Sequence, residues 1–420
     1  MTQRLAVVGQ GYVGLPLAMR AVEVGSYDVV GFDVDKARVD RLRAGESFIE
    51  DVESSVLASA LASGRYEPTS EIERCRGFDV AVITVPTPLR EGLPDLSYIE
   101  AACELLGPLV TRGSCVVLES TTYPGTTTEI VAPILERCSG LVVGREFFLG
   151  YSPERIDPGN RTWRFENTPK LVSGIDEASA AAVTRFYDSM VEQTVVMSGP
   201  AEAELAKLIE NTFRHVNIAL VNELAMVAEE LGIDVWESIR GAATKPFGYM
   251  PFYPGPGVGG HCIPVDPSFL SWRVRRRLGH ALRFVEIAND VNEHMPNYVV
   301  HRLVLGLNRR RRAMNGARVL VLGLTYKRNS ADARQSPVVP VIDQLLELGA
   351  EVRVADPHAG EFALDERVVR VDATRAEAEA ADAVVLLTDH DAFDLDMLAG
   401  AAPYFFDTRH RANGASVEHL

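Results

Sequence analysis

A cysteine on a glycine-rich loop is the residue of this 420-residue chain best suited to covalent chemistry. Cys262 ends the glycine-rich stretch 255–262, and Asp266 follows it. Glycine tolerates positive φ and lets backbone N–H groups approach a phosphate or a sugar. The flanking prolines, the last of which is Pro267, predict a stiff loop through which no helix or central strand runs. The cysteine is then either an inert small side chain or, with a lowered pKa and a substrate beside it, a nucleophile.

A lysine and an asparagine form a second candidate group. Lys207 and Asn211 stand four residues apart in the helical pattern 201–231, so their side chains project from one helix face. An ammonium and an amide side by side can donate to an oxygen that gains negative charge, although a surface pair has the same spacing. Glu204 and Glu210 fall on other faces of this helix. So long a helix is also a candidate dimer interface.

The elements that position these residues begin with a dinucleotide-binding fingerprint. An apolar strand at 5–8 leads into a GxGxxG turn at 9–14, a helix follows, and a second strand ends on Asp33. The helix N-terminus would receive a pyrophosphate, and Asp33 would accept hydrogen bonds from a ribose diol. A carboxylate repels a 2′-phosphate, so the pattern predicts NAD and not NADP. The predicted cofactor-binding residues of this unit are Gly9, Gly11, Tyr12, Val13, Gly14 and Asp33.

Strands and helices continue to alternate, and each apolar run ends in a polar turn. The run 79–85 precedes Pro86 and Thr87, and the run 115–118 precedes Thr121 and Thr122. A doubly wound sheet binds its ligands at the carboxyl ends of its strands, so these residues are candidate cofactor or water contacts. Ordinary loop residues would look the same. The next strand end carries Glu154, a carboxylate available for base chemistry.

The opening pattern recurs near the end of the chain. The stretches 318–324, 352–356 and 383–388 resemble the first strands, but Gly323 opens no complete GxGxxG. This predicts a second sheet domain that binds something other than a dinucleotide. The predicted fold class is α/β, with two Rossmann-like doubly wound sheet domains joined by a long central helix and a small helical domain.

Composition excludes several function classes. The net charge of −16 argues against a nucleic-acid or anionic-membrane partner. Five scattered cysteines lack the spacing of a zinc site or a disulfide framework, so no metal is predicted. The sequence shows no signal segment and no apolar stretch long enough to span a membrane, which favours a cytoplasmic protein.

Five ordered motifs together resemble the UDP-glucose/GDP-mannose dehydrogenase family over essentially the whole chain. They are the fingerprint at 9–14, Ser-Pro-Glu-Arg at 152–155, Lys-x3-Asn at 207–211, Gly-x-Gly-Gly-x-Cys-x3-Asp at 257–266 and Gly-Leu-Thr-Tyr-Lys at 323–327. The segments 153–159 and 259–264 look like the branch that acts on UDP-N-acetyl-D-glucosamine or UDP-N-acetyl-D-mannosamine. UDP-glucose dehydrogenases usually have serine where His261 stands and a second glutamate where Pro158 stands.

The resemblance implies oxidation of the sugar C6 alcohol to a carboxylate in two NAD-dependent steps. Cys262 would attack the intermediate aldehyde to give a thiohemiacetal, and a second hydride transfer would leave a thioester that water hydrolyses. Lys207 and Asn211 would hold the C6 oxyanion. Family matching assigns Asp266 the role of a general base that acts through an ordered water. It assigns Glu154 to the later attack of water. Thr121 or Thr122, depending on where a one-residue gap is placed, would position that water.

The resemblance also assigns binding residues and domains. Arg334 is assigned to the cofactor, as are Pro86, Thr87 and Thr121. The assigned substrate-binding residues are Glu154, Arg155, Lys207, Asn211, Tyr253, Gly257, Gly259, Gly260, His261 and Lys327. The implied domains are an NAD-binding domain at 1–198, a central helical dimerisation domain with the cysteine loop at 199–308, and a UDP-binding domain at 313–420. The implied partners are a UDP-sugar and a second copy of the chain.

Four alternatives stay open at this stage. Oxidation of UDP-glucose or GDP-mannose would use the same residues. A two-electron dehydrogenase of the 3-hydroxyacid or 6-phosphogluconate type would need neither Cys262 nor the second sheet domain. An NAD-retaining sugar epimerase would form a transient ketone that needs no covalent trap. A nucleotide-sugar binding or sensing protein would tolerate loss of Cys262.

Overall fold

The computed structural model describes residues 2–49, 51–156, 160, 162–260, 263–360 and 362–420. The chain divides into two compact units. Unit 1 comprises Met1–Glu210 with Ser268–His280, and unit 2 comprises Asn211–Pro267 with Ala281–Leu420. No helix within the described ranges is both long and apolar enough to cross a membrane.

Unit 1 is organised around a sheet of strongly apolar strands. The strands are β1 (Gln3–Val8), β2 (Tyr27–Phe32), β3 (Tyr66–Thr69), β4 (Val80–Ile83), β5 (Leu89–Arg90), β6 (Leu93–Pro94), β7 (Cys115–Leu118), β8 (Phe148–Tyr151), β9 (Lys170–Gly174) and β10 (Thr194–Val196). Eight of the described strands form one sheet in the order β10-β9-β8-β7-β4-β1-β2-β3, and β5 pairs only with β6. Neighbours in the large sheet run parallel except β8 and β9. Strands β4 and β7 are fully buried, which explains their unbroken apolar sequences.

Helices connect these strands. They are α1 (Gly14–Glu23), α2 (Lys36–Arg43), α3 (Ser54–Ala62), α4 (Ser97–Leu106), α5 (Ala132–Ser139) and α6 (Glu177–Asp188). Aspartates fix two of the helix starts. Asp35 accepts hydrogen bonds from Ala37 N and Arg38 N at the start of α2, and Asp176 accepts one from Ser179 N at the start of α6.

The middle of the chain is helical. Its helices are α7 (Pro200–Leu231), α8 (Val235–Ala243), α9 (Asp266–Leu278) and α10 (Arg283–Arg309). Helix α7 ends before Gly232, which adopts a positive φ of 67°. Helix α9 begins at Asp266, at the end of the glycine-rich loop, with Pro267 in its first turn. Proline is tolerated there because an N–H in the first turn has no acceptor within the helix.

Unit 2 contains the second sheet. Its strands are β11 (Arg318–Leu322), β12 (Glu351–Ala355), β13 (Val369–Arg370), β14 (Ala383–Leu386), β15 (Phe405–Asp407) and β16 (Val417–His419). The described strands lie in the order β13-β12-β11-β14-β15-β16, and all of them run parallel. The remaining helices are α11 (Val338–Glu347), α12 (Arg375–Ala380) and α13 (Leu395–Ala401). The predicted fold class, with two Rossmann-like sheets and a long central helix, is confirmed.

Candidate active site

The glycine turn after β1 is held by the protein's own backbone. Gly9 has a φ of 100°, and a Cβ there would lie 2.7 Å from Thr84 O. A Cβ on Gly14 would lie 1.9 Å from Gly9 O, so α1 can approach β1 only with glycine at this position. Thr84 Oγ1 donates a hydrogen bond to Gly9 O at 2.8 Å. Thr84, which the sequence analysis missed, therefore fixes the turn from the end of β4.

Gly11 differs from the other two glycines of the turn. A Cβ on Gly11 would meet no atom within 4 Å, so packing within the protein does not require glycine there. The exposed Tyr12 and the half-buried Val13 follow it, directly before α1. An open position with bare backbone at a helix N-terminus fits close approach of a pyrophosphate.

Asp33 lies directly after β2, beside this turn. Its buried carboxylate accepts hydrogen bonds from Gln10 N at 2.8 Å and Asp35 N at 3.0 Å, and an ion pair from Arg38 at 2.9 Å. The backbone N–H of the glycine turn is thus tied to the acid that is predicted to bind the ribose. Arg38 gave no signal of its own in the sequence.

The other predicted cofactor contacts lie at the same edge of the sheet. Pro86 is exposed and Thr87 half-buried, and both follow β4, which neighbours β1. Thr121 and Thr122 follow β7, which neighbours β4. The buried Thr122 donates to Thr126 Oγ1 at 2.6 Å, whereas the half-buried Thr121 hydroxyl has no hydrogen bond to a described residue. This difference favours Thr121 as the threonine that contacts a cofactor or a water.

A buried glutamate on α7 anchors the loop after β7. Glu204 accepts hydrogen bonds from Gly125 N at 2.6 Å, Thr127 N at 2.9 Å and Thr127 Oγ1 at 2.6 Å. Burial raises the pKa of Glu204 to about 7 even though these donors favour the ionised form. The sequence placed Glu204 on a helix face away from Lys207 but indicated no partner for it.

Glu154 and Arg155 follow β8 and have different surroundings. Glu154 Oε1 accepts a hydrogen bond from Ile156 N at 2.5 Å, and Glu154 Oε2 lies 3.7 Å from Lys170 Nζ. Arg155, expected to bind substrate, instead forms an ion pair with Glu210 at 2.7 Å and donates to a backbone carbonyl. The next three residues, 157–159, lie outside the described residues, and the Pro158 position is among them.

The predicted Lys207 and Asn211 pair lies on α7, one turn apart, and both side chains are buried. Lys207 is only 6% exposed, yet it makes no hydrogen bond or ion pair to a described residue. Asn211 Nδ2 donates to Asp266 Oδ2, and Arg214 donates to Asn211 Oδ1. Asp266 is the buried first residue of α9. An ammonium at the end of a largely buried side chain, with no acceptor among the described residues, can donate to an oxygen that gains negative charge.

The glycine-rich loop packs closely against the start of the second sheet domain. A Cβ on Gly260 would lie 2.8 Å from Tyr326 Cε2, and a Cβ on Gly259 would lie 2.7 Å from Tyr326 Cβ. Gly257 has a φ of 128°, a conformation that other residues rarely adopt. His261 and Cys262 lie outside the described residues.

A polar network that the sequence analysis missed supports this loop. Asn222 Oδ1 accepts a hydrogen bond from Gly255 N at 3.0 Å, and Asn222 Nδ2 donates to Asn292 Oδ1 at 2.9 Å. Asn292 in turn contacts the buried His215. Tyr253, predicted to bind substrate, stacks on Trp236 with 5.9 Å between ring centroids.

The two C-terminal donors follow β11. Lys327 is half-buried, directly after Tyr326. Arg334 is exposed and binds Asp332 through Nε and Nη2, at 2.9 and 2.8 Å. The structure therefore places Arg334 in an ion pair within its own loop.

Three of the four other cysteines are poor nucleophiles. Burial raises the pKa of Cys75, Cys103 and Cys115 to about 12. Cys138 is half-buried and unbridged. Within the described ranges, no cluster of three or more histidine, cysteine, aspartate or glutamate residues could hold a metal ion. Cys262 therefore remains the candidate for covalent chemistry.

Comparison with known proteins gives a consistent result along the chain. Profiles of the UDP-glucose/GDP-mannose dehydrogenase family match at residues 3–191 (NAD binding domain), 201–294 (central domain) and 320–413 (UDP binding domain). A UDP-N-acetyl-D-glucosamine 6-dehydrogenase from Pseudomonas aeruginosa is 39% identical over 394 residues, which are 93% of this chain and 91% of the relative.

Solved structures agree. A UDP-D-ManNAc dehydrogenase from Pyrococcus horikoshii superposes with a TM-score of 0.89 at 32% identity, covering 99% of both chains. A UDP-glucose dehydrogenase from Pyrobaculum islandicum superposes with a TM-score of 0.87 at 30% identity, covering 100% of this chain and 97% of the other. The chain belongs to the UDP-glucose/GDP-mannose dehydrogenase family and is an NAD-dependent nucleotide-sugar dehydrogenase.

Proposed function

We propose that this enzyme oxidises the C6 hydroxyl of a UDP-N-acetylhexosamine to a carboxylate, by way of a covalent adduct on Cys262. The observation that carries the proposal is the largely buried side chain of Lys207, whose ammonium has no acceptor among the described residues. An oxygen that becomes negative in the reaction is the partner such a group lacks. The N–H groups of Asn211 lie one turn further along α7, so one of them can reach the same oxygen.

The proposed residues divide the work by their chemistry. NAD, which the glycine turn and Asp33 would hold, would supply the hydride acceptor for each oxidation at C6. Asp266, held by Asn211, takes the hydroxyl proton through a water. The Cys262 thiolate then adds to the aldehyde carbon, and loss of the second hydride leaves a thioester. Water adds to the thioester carbonyl, Glu154 takes a proton from that water, and the C–S bond breaks to release the acid and the thiolate.

The turn residues of unit 1 fit the proposed contacts with NAD. Gly11 leaves backbone open at the N-terminus of α1, and Asp33 presents a buried carboxylate at the end of β2. Thr121, with its hydroxyl unused, would contact either the nicotinamide side or the hydrolytic water. Pro86 and Thr87, at the end of β4, are the remaining proposed contacts with NAD.

The second sheet is proposed to hold the uridine diphosphate. The family profile that matches residues 320–413 is described as a UDP binding domain. Lys327 supplies a cation for the diphosphate, whereas Arg334 must leave Asp332 to bind any ligand. The domain division at 1–198, 199–308 and 313–420 is part of this proposal.

The N-acetylated sugar is proposed from sequence and relatives together. His261 and Pro158 depart from the usual UDP-glucose dehydrogenase pattern, and relatives named for N-acetylglucosamine and N-acetylmannosamine match 93% of the chain. The configuration at C2 is left to the experiment.

We also propose a homodimer built on α7. Seven partly exposed apolar side chains recur along this helix at spacings of three, four and seven residues, the pattern of a helix that pairs with a copy of itself. They are Leu205, Ile209, Phe213, Leu220, Leu224, Val227 and Leu231. An apolar groove of about 340 Å³ lined by Leu224, Val227 and Tyr249 continues the same surface. Sedimentation should give twice the chain mass, and Leu224→Glu should halve it.

The test measures NADH formed per sugar consumed with purified protein and NAD. The panel is UDP-N-acetylglucosamine, UDP-N-acetylmannosamine, UDP-glucose and GDP-mannose. Two NADH per sugar and an acidic product are expected on an N-acetylated sugar. Cys262→Ala should abolish product formation, whereas the matched control Cys138→Ala should keep it. One NADH per sugar would contradict the covalent mechanism, and a preference for UDP-glucose would contradict the substrate.

A further inference from the structure

A buried charged cluster lies beneath the proposed hydrolytic base. Lys170 opens β9, Glu119 follows β7, and both are almost fully buried, at 4% and 0% exposure. Lys170 Nζ donates a hydrogen bond to Glu119 Oε1, and Tyr187 OH on α6 donates one to Glu119 Oε2 at 3.2 Å. The reaction scheme assigns no role to any of these three side chains.

The surroundings of Lys170 are aromatic and apolar. Its Nζ lies 5.4 Å from the centroid of the Phe165 ring and 5.1 Å from that of Tyr187. Moving two charges out of water is costly, and a buried ion pair is often no more stabilising than apolar side chains of similar size. Stability alone therefore does not account for an ammonium at this position.

One oxygen of Glu154 connects the cluster to the site. Glu154 Oε2 lies 3.7 Å from Lys170 Nζ, is buried, and has no hydrogen bond to a described residue. Glu154 Oε1 is held by Ile156 N. The nearby guanidinium of Arg155 is occupied by Glu210. Among the residues that the structure describes, Lys170 is thus the cation that faces Oε2 of the proposed base.

We propose that Lys170 is a positioning residue, anchored by Glu119, whose ammonium holds Oε2 of the Glu154 carboxylate in place to take a proton from the water that hydrolyses the thioester. The inference rests on the proposed function, because it concerns the hydrolysis of the Cys262 adduct. The first hydride transfer needs no such base, so the two steps should respond differently to changes at Lys170.

The other titratable groups around Glu154 allow a second test, whose expected result is opposite in sign. Glu119 and Tyr187 both couple electrostatically to Glu154. Burial raises the pKa of Glu119. Because Glu119 competes with Glu154 for the charge of Lys170, Glu119→Gln should leave more of that charge to Glu154. Removing Lys170 and neutralising Glu119 should therefore move the pH dependence in opposite directions.

The experiment compares Lys170→Met, Lys170→Arg and Glu119→Gln in the full-length protein. Ser173→Ala is the matched control, since it removes a buried hydrogen bond to Tyr151 O from the same strand. A single turnover with the sugar that the wild type oxidises is quenched at intervals. NADH reports hydride transfer, and the intact mass of the protein reports the adduct. Turnover is also measured from pH 5 to 9.

In Lys170→Met, adduct formation should be near normal and hydrolysis about 100-fold slower, so the adduct accumulates. The acidic limb of the pH profile should move up by about one pH unit or more. Lys170→Arg should restore hydrolysis to within about tenfold, and Glu119→Gln should move the limb down. The control should match the wild type in both steps.

Equal slowing of both steps in Lys170→Met, with no shift of the acidic limb, would show a purely structural role and overturn the inference. An upward shift in Glu119→Gln would also overturn it. If the wild type forms two NADH per sugar and the variants give either of these results, only the proposed role of Lys170 is refuted. A wild type that forms only one NADH per sugar, or none, refutes the proposed function itself.

Discussion

The two sheets of this molecule share a strand-end aspartate but use it differently. Asp33 follows β2 in unit 1, and Asp356 follows β12 in unit 2, each beside a glycine that ends the first strand of its sheet. Asp33 accepts one backbone hydrogen bond from the preceding turn, through Gln10 N. Asp356 accepts two, through Leu324 N and Thr325 N.

Further hydrogen-bond donors contact the carboxylate of Asp356. His390 Nε2 lies 3.0 Å from Asp356 Oδ2, and His358 N and Ala359 N donate to Oδ1 at 2.7 and 2.9 Å. Burial raises the pKa of Asp356, but the hydrogen bonds from His390 and the backbone outweigh it and hold the pKa well below its usual range. The carboxylate is thus consumed by its own loop.

The helix that follows also differs. In unit 1, α1 begins at Gly14, five residues after Gly9, so its N-terminus stands at the end of β1. In unit 2, α11 begins only at Val338, long after Gly323. Asp33 is bound by fewer donors than Asp356, and a dinucleotide site needs such a strand-end acid together with a nearby helix N-terminus. The comparison explains in physical terms why only the first sheet carries the NAD fingerprint.

The largest effect should come from Gly14→Ala. The new Cβ would lie 1.9 Å from Gly9 O, a backbone atom that cannot move without opening the turn. We expect a loss of about 3 kcal/mol in the free energy of unfolding and no measurable NAD binding. Calorimetric unfolding and titration with NAD would check both. Full NAD affinity in this variant would contradict the close packing of α1 on β1.

Asp356→Asn should affect stability without affecting NAD. Leu324 N and Thr325 N donate to one carboxylate oxygen, and His358 N and Ala359 N donate to the other. In either orientation the amide NH2 group would face two of these N–H donors and leave them unpaired, at a cost of about 2–4 kcal/mol. Because the folded-state pKa of Asp356 is lowered, its contribution is present above pH 4 or so and is lost as the pH falls below that. Thermal unfolding between pH 3 and 8 should therefore show the variant and the wild type converging in acid. A constant difference across this range would contradict the lowered pKa.

The sequence predicted best those features that depend on neighbours along the chain. The turn at 9–14 and the acid at Asp33 follow from local geometry, because strand, turn and helix are consecutive. The pairing of Lys170 with Glu119 joins residues 51 positions apart, and that of Glu204 with Thr127 joins residues 77 apart. Helical or strand spacing shows which face such a residue occupies but does not identify its partner.

The same limit applies to Arg155. Motif matching predicts that Arg155 binds the substrate, but no sequence pattern indicated the ion pair that its guanidinium forms with Glu210. The hydrogen bonds that occupy Asp356 were likewise not predictable from the sequence, because one partner, His390, follows a different strand.

Asp33→Asn should reverse the pattern of Asp356→Asn. Loss of the charge-assisted hydrogen bonds to the ribose diol should weaken NAD binding about tenfold or more, since each such bond contributes about 1.5–3 kcal/mol. The fold should suffer less, because the exposed side of Arg38 can turn to water. NAD titration and unfolding measured on both aspartate variants give a two-by-two comparison. Equal effects of the two variants on NAD affinity would contradict the different uses of the two acids.

Gly11→Ala should have the smallest effect and the most selective one. Gly11 needs no positive φ, and its Cβ would meet no protein atom within 4 Å, so the melting temperature should stay within about 1 °C of the wild type. If the pyrophosphate lies against this backbone, the added methyl group should weaken NAD binding by a few-fold to about tenfold. Gly64→Ala, on a remote turn with equally open space, is a matched control for a substitution that meets no neighbour, although its positive φ of 71° adds a small strain. Unchanged NAD affinity in Gly11→Ala would show that the middle glycine of the turn faces solvent and not the cofactor, and the difference between the two sheets would then depend on Asp33 and α1 alone.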